Sequence, residues 1–303
     1  MKTLCVAHLV RARNGPDAFR RFLASYLRHG AGAPHRLLVI FKGFRGRGAL
    51  LEYDRLLADV PHDRIHVRDY GYDIRAYVVA ARQTRFDLYC FLNSFSVILE
   101  KGWLAKLAYY ARGDGSDLVG ATGSWVSHLT LAVDNPDFGR YVPLGGGRIE
   151  LPRALAGVAR RALLGYMEKH FDAYPNHHIR TNCFLVARDL LLESAPTRLL
   201  SKIDVYKFES GRSGLSCRFK ARNRPLLVIG RDGNSYAQDA WPASNTCWQG
   251  DQENLLVADN QTMRYQAADL ATRGALSRLA WSDMARPPAG VRSGAASFPK
   301  VPR

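Results

Sequence analysis

DLYCFLNSFSVILEKGW, residues 87 to 103, runs apolar up to an abrupt polar stop at Asn93-Ser94-Phe95-Ser96, after which a helical pattern begins. An apolar run of this length without polar alternation marks a strand buried on both faces, as in sheets covered by helices on either side. Ligands of such sheets gather beyond the carboxyl ends of the strands, so Asn93, Ser94 and Ser96 stand where a ligand is held.

Outward from this stretch the same alternation repeats. TLCVAHLV (3–10) reads as a strand, DAFRRFLASYLRHG (17–30) as an amphipathic helix ended by Gly30, and HRLLVIFKGF (35–44) as a second strand. A helix at 48–59, a strand at 63–71, a helix from 73 to 84, the strand 87–92, a helix 98–112 and a strand 117–125 follow. Repeated strand–helix units predict an α/β fold with a mostly parallel, doubly wound, Rossmann-like sheet. From 126 to 178 the pattern is irregular, with NPDFG and PLGGGR as turns and a long helix, PRALAGVARRALLGYMEKHF, between them and the next strand. Its apolar set Leu155, Val158, Leu163 and Met167 reads as a core-facing stripe; with Arg153, Arg160, Arg161 and Lys169 between, a membrane-surface helix is the second reading. A strand IRTNCFLVARD, a short helix, a polar turn KFESGRSG, a helix LSCRFKARN and a strand PLLVIG complete the C-terminal half. The expected division is a binding half at 1–125, a second half of the same domain at 126–270, and a terminal helix and basic tail at 271–303, mobile from Arg286.

Bulk properties bound the class. A chain of 303 residues, 47% apolar, has enough material for a sizeable core. No run of about 18 apolar residues occurs to cross a bilayer. The opening MKTLCVAHLV reads as a core strand, not a signal peptide, which makes the cytoplasm the expected location, with peripheral contact at an anionic membrane face as a further expectation. Cys5, Cys90, Cys183, Cys217 and Cys247 are odd in number, widely spaced and mostly within apolar runs, so free buried thiols are expected. A net charge of +16 favours anionic partners, nucleotides among them. Nucleic acid is not the expected one, because no zinc-finger, RRM or KH signature accompanies the charge. A P-loop, a dinucleotide G-x-G-x-x-G and a G-x-S-x-G elbow are also missing. The adjacent His177 and His178 read as surface or hydrogen-bonded residues in preference to metal ligands.

Three clusters carry chemistry. In DYGYDIRAY, Gly71 ends a strand and Asp73, Ile74 and Arg75 open a helix, which makes Asp73 either a helix cap or, with Tyr72 stacking, a reader of a base or ribose. Asn93-Ser94-Phe95-Ser96 is the second. In YKFESGRSGLSCRF, Glu209 stands on a Ser/Gly-rich turn, either solvated or placed to take a proton from an incoming hydroxyl.

The order of these clusters resembles the nucleotide-diphospho-sugar glycosyltransferases of GT-A fold, in particular bacterial family 2-like enzymes of polysaccharide assembly in the cell envelope. The resemblance covers most of residues 3–270, with LVRARN and GYDIRAY in the nucleotide-binding places, FESGRSGLSCRFKARNRPLLVIG at the acidic catalytic segment and GDQENLLVADNQTMRY as the closing segment. It implies a glycosyltransferase, a hexosyltransferase by expectation, that takes a nucleotide sugar and a glycan or lipid-linked acceptor. Residues 1–125 become the nucleotide-sugar half, 126–270 the acceptor and catalytic half, and Glu209 the base; inversion or retention stays open. Where that family binds Mg²⁺ or Mn²⁺ through a D-x-D, this chain has the neutral Asn93, Ser94 and Ser96, which puts a metal in doubt and leaves Arg11, Arg13 and Arg75 to supply positive charge. A non-catalytic sugar-nucleotide or glycan-binding protein of the same fold is the alternative.

Overall fold

The structure is a computed structural model that describes residues 2–111, 117–144 and 147–282. The basic tail from Arg286 and part of the glycine-rich turn after Pro143 lie outside the described residues. Within the main sheet the strands are β1 (Leu4–Arg11), β2 (Arg36–Lys42), β3 (Asp63–Val67), β4 (Leu88–Leu92), β5 (Leu118–Gly120), β6 (Cys183–Ala187), β7 (Leu226–Ile229) and β8 (Ser235–Tyr236). Their spatial order is β8-β7-β5-β6-β4-β1-β2-β3. β4, β1, β2 and β3 are parallel neighbours, as are β5 and β7, while β6 and β8 run against the rest. This is the α/β class with a mixed, mostly parallel sheet that the strand–helix alternation predicts. Strands from both halves of the chain share this one sheet.

Side chains of a strand alternate between faces, and both faces of this sheet are dry. Cys5, Ala7 and Leu9 of β1 join Tyr89 and Phe91 of β4 in one core with Ile74, Tyr77 and Ala81 from the helix Asp73–Gln83. Val6 and Val10 join Cys90 and Leu92 on the other side, against Phe19 and Phe22 of the helix Pro16–Arg28 and Trp103 and Leu107 of the helix Trp103–Tyr110. The cysteines are free, and all but the half-buried Cys217 lie inside these layers.

Several boundaries differ from expectation for identifiable reasons. The helix expected from 98 begins only at Trp103, because Val97–Ile98 is taken up as a short strand against Val257–Ala258. The strand expected over 117–125 breaks after Gly120, and Gly123–Ser124 pairs instead with His178–Ile179. The polar turn expected at Glu209 is a helix, Lys202–Ser210, started by a capping box in which Ser201 accepts from the Asp204 amide and Asp204 answers at the Ser201 amide. The long helix Arg153–His170 is not core-facing along its predicted stripe: Leu155, Val158 and Leu163 are exposed, and Met167 alone of that set is buried.

Candidate active site

The carboxyl ends of β1 and β2 converge on the turn that opens the helix Asp73–Gln83. Lys42 ends β2 with its side chain buried, and its Nζ donates to the Gly71 carbonyl at 2.5 Å and the Tyr72 carbonyl at 3.1 Å. Burial, then the nearby Arg11 guanidinium, push the Lys42 ammonium down to about 8 against the pull of Asp73 and Asp69. Gly71 has φ +65, and a Cβ there would sit 2.5 Å from the Leu199 carbonyl, so only glycine lets the chain turn into the helix at this point. Tyr72 is the residue before the helix and Asp73 its first member, with no side-chain capping bond, so Asp73 is not a cap. Its Oδ1 lies 3.6 Å from Nη1 of Arg11, whose Nη2 lies 3.5 Å from Asp69 Oδ1. Both Arg11 Nε and Asp73 Oδ1 are buried without a hydrogen-bond partner among the described residues.

Asn93 follows β4 and closes a local turn: its Oδ1 accepts from the Phe95 amide at 2.9 Å and from the Ser96 hydroxyl at 3.2 Å. Its own amide donates to the Asn182 carbonyl at 2.9 Å. Ser94 and Ser96 are buried, with Ser96 inside this turn, so of the polar stop only Asn93 reaches the cavity.

Because β6 runs against its neighbours, its amino end lies at the same sheet edge as their carboxyl ends, and this brings Arg180, Thr181 and Asn182 to the site. Glu209 approaches them from the last turn of its helix. Its Oε2 accepts from the Thr181 amide at 3.3 Å and from the Thr181 hydroxyl, and its Oε1 lies 3.6 Å from Nε2 of His178. His178 is buried and its Nδ1 meets the Asn176 carbonyl at 2.8 Å; a carbonyl only accepts, so Nδ1 carries the proton and Nε2 offers a lone pair toward Glu209. Burial pushes this imidazole down to about 4, which keeps it neutral at ordinary pH. The glycines after Glu209 serve close approach: a Cβ at Gly214 would lie 2.4 Å from the Lys207 carbonyl. Arg180 donates to Asp259 Oδ2 at 3.1 Å and reaches Thr122 Oγ1 and Cys247 Sγ at 3.4 Å. Burial pulls the guanidinium pKa down, and Asp259, Cys247 and Glu209 more than offset this, so it is raised.

One cavity of about 300 Å³ is lined by Arg11, Tyr72, Asp73 and Asn93 on one side and by Arg180, Asn182, Lys202, Tyr206, Glu209 and Asp259 on the other. Of the residues predicted from sequence it gathers Arg11, Tyr72, Asp73, Asn93 and Glu209. Arg75 is engaged elsewhere, its guanidinium 3.5 Å over the Tyr70 ring and bonded to the Tyr70 hydroxyl, and Arg13 is exposed on the turn after β1. Neither lines the cavity. A larger depression of about 670 Å³ beside Lys2, Arg85, Asp87 and Arg188 lies at the opposite edge of the sheet and holds none of these groups.

The donor set does not suit a hard divalent cation, which wants several free carboxylate or carbonyl oxygens. Asn93 Oδ1 already takes two hydrogen bonds, Asp259 is committed to Arg180 and to the amides of Gln261 and Thr262, and Asp251 pairs with Arg273. Among the described residues no three His, Cys, Asp or Glu side chains come together in a metal-binding group. The cavity instead offers cations on both walls and a carboxylate, Glu209, that makes no ion pair with a lysine or arginine among the described residues, although it lies within the field of Arg180.

No protein-family model matches the sequence, and none of the curated proteins does. Among solved structures the chain is similar to S. aureus TarS 1-349, at 15% identity and TM-score 0.31 over 39% of this chain and 34% of that one. It is also similar to the mannosyltransferase PcManGT from Pyrobaculum calidifontis in complex with GDP-Man and Mn²⁺, at 10% identity and TM-score 0.37 over 64% of this chain and 46% of that one. GalNAc-T7 with UDP, GalNAc and Mn²⁺ is similar at 13% identity and TM-score 0.38, over 64% and 37%. The matched part thus spans less than half the length of each of these structures.

The Asp73 wall makes a specific prediction. Should the cavity take a nucleotide sugar through this wall, Asp73→Asn is expected to weaken its binding by about 1–3 kcal/mol, the cost of a charge-assisted hydrogen bond, with little change in melting temperature because Arg11 keeps Asp69. Isothermal titration of the variant checks it; tighter binding instead means that Asp73 only holds Arg11 and competes with the donor's phosphates.

Proposed function

We propose that the protein is a glycosyltransferase that moves a sugar, a hexose in our reading, from a nucleotide-sugar donor to a hydroxyl of a glycan or lipid-linked acceptor in polysaccharide assembly. The observation that carries this reading is the meeting, in one cavity at the ligand edge of the sheet, of Glu209 with Arg11, Asp73 and Asn93. Asp73 and Tyr72 address the nucleotide, and Arg11, Arg180 and Lys202 face the diphosphate. The acceptor hydroxyl gives its proton to the Glu209 carboxylate as its oxygen bonds the anomeric carbon. The bond from that carbon to the phosphate oxygen breaks, and the nucleotide diphosphate leaves with the electron pair, stabilised by the guanidinium groups. Such a displacement inverts the anomeric carbon.

No step is routed through a metal. With saturating nucleotide sugar, EDTA is expected to change binding or turnover by less than about twofold, since Asn93 Oδ1 and the Asp259 carboxylate are already committed and no D-x-D stands at the end of β4. A thermal-shift panel of nucleotide sugars with and without Mn²⁺ tests function and metal together: the right donor at a hundred times its Kd raises stability by about 2.7 kcal/mol. A strict Mn²⁺ requirement overturns the metal-free reading. No stabilisation by any nucleotide or nucleotide sugar overturns the donor assignment. A binding protein without catalysis is the second reading, favoured by Asn93 Oδ1 being spent in its own turn, and donor hydrolysis by the purified chain excludes it.

A further inference from the structure

The helix Arg153–His170 carries apolar side chains on opposite faces. Its inner face packs Leu164 and Met167 with Leu129, Ala132 and Phe171 in a small core apart from the sheet layers. On the outer face Leu155 and Val158 are each 56% exposed, Leu163 42% and Tyr166 39%. At 3.6 residues per turn Val158, Ala162, Leu155 and Tyr166 fall within an arc of about 80°, turned away from Met167, with the exposed Leu163 about 60° beyond Tyr166 on the flank toward Met167. The hairpin that leads into the helix exposes Tyr141 and Ile149 as well. Apolar side chains this concentrated on one face are the mark of an interaction surface.

Charge decides the occupant. Arg153, Arg161 and Lys169 are exposed along the helix against one carboxylate, Glu168, whereas Arg160 is consumed by the Val133, Asn135 and Phe138 carbonyls. A two-fold contact with a second copy would set Arg161 and Lys169 near their own images, in a chain that already carries +16. An anionic bilayer accepts the apolar strip among its acyl chains and neutralises the flanking cations. We propose that the outer face of the helix Arg153–His170 docks the protein in the plane of an anionic lipid surface. The docking needs no chemistry in the cavity, yet the two are mechanically joined. Phe171 packs on His128, whose ring lies 3.9 Å from that of Tyr206 in the cavity wall, and Lys207 donates to the Tyr166 hydroxyl at 3.3 Å.

Flotation of the full chain with vesicles tests this. The wild type is expected to float with phosphatidylcholine mixed with phosphatidylglycerol, not with phosphatidylcholine alone, and to be released by added salt. Leu155→Asp with Leu163→Asp should lower the partition at least about tenfold. Arg161→Gln and Lys169→Gln should lower it about fivefold per charge. Both positions pairs are exposed, so melting temperatures should match the wild type and show that the fold is intact. Absence of flotation, or flotation unaffected by the aspartates, overturns the proposal. So does a dimer by light scattering that Leu155→Asp converts to a monomer, which would make this face a contact between copies.

Discussion

Glu209→Gln is expected to lower single-turnover sugar transfer about a hundredfold to ten-thousandfold while donor affinity and folding persist. The local geometry explains why the fold should tolerate the change. Thr181 donates its amide and hydroxyl to one carboxylate oxygen, and a glutamine carbonyl accepts both just as well. The other oxygen faces the bare Nε2 of His178 at 3.6 Å, toward which a glutamine amide can donate. What the substitution removes is the carboxylate's charge, and with it the basicity. Glu209→Asp withdraws the carboxylate by one methylene from Thr181 and should be partly active at best. Because burial holds His178 down to about 4, turnover should show no limb at the usual imidazole pKa. A Glu209→Gln variant with most of the wild-type rate places the base elsewhere; a wild type that neither transfers sugar nor hydrolyses donor makes this a binding protein.

How much of this site is legible in the sequence depends on which physical signal marks each part. The apolar runs that make β1, β2 and β4 are unambiguous, and so is the polar stop at Asn93. The charged end of RLLVIFK is the same kind of signal, and Lys42 was open to being read from it. The amino end of β6 was not, because strand direction is a property of the assembled sheet: only once Cys183–Ala187 runs antiparallel does the preceding Arg180-Thr181-Asn182 reach the ligand edge. At Glu209 the following Gly211 and Gly214 read as a turn, whereas Ser201 and Asp204 form the capping box that starts the helix holding it. For Arg153–His170 periodicity shows apolar residues on two faces, and which of them meets the protein is decided by Phe171, Leu129 and the other residues of its small core, distant in the chain.

The largest effect on stability is expected at the opposite wall of the cavity. Arg180→Met should destabilise the folded chain by about 3–5 kcal/mol, and adding Asp259→Asn should restore most of it. The Asp259 side chain is 2% exposed and that of Arg180 15%, so removing the guanidinium strands a buried carboxylate. Asp259 cannot turn to water, because its Oδ1 holds the amides of Gln261 at 3.1 Å and Thr262 at 2.8 Å at the start of the helix Asn260–Ala267. Asparagine keeps that cap and removes the charge, while methionine fills the space beside Trp248, over which the guanidinium sits at 5.9 Å. Chemical denaturation of the two single variants and the double one closes the cycle. Donor affinity then separates structure from function: the double variant, folded but without the guanidinium, should still bind nucleotide sugar weakly if Arg180 takes the diphosphate. A double variant as unstable as Arg180→Met would assign the loss to packing at Trp248 and Cys247, and one that binds donor like the wild type would confine Arg180 to holding Asp259 and the helix it starts.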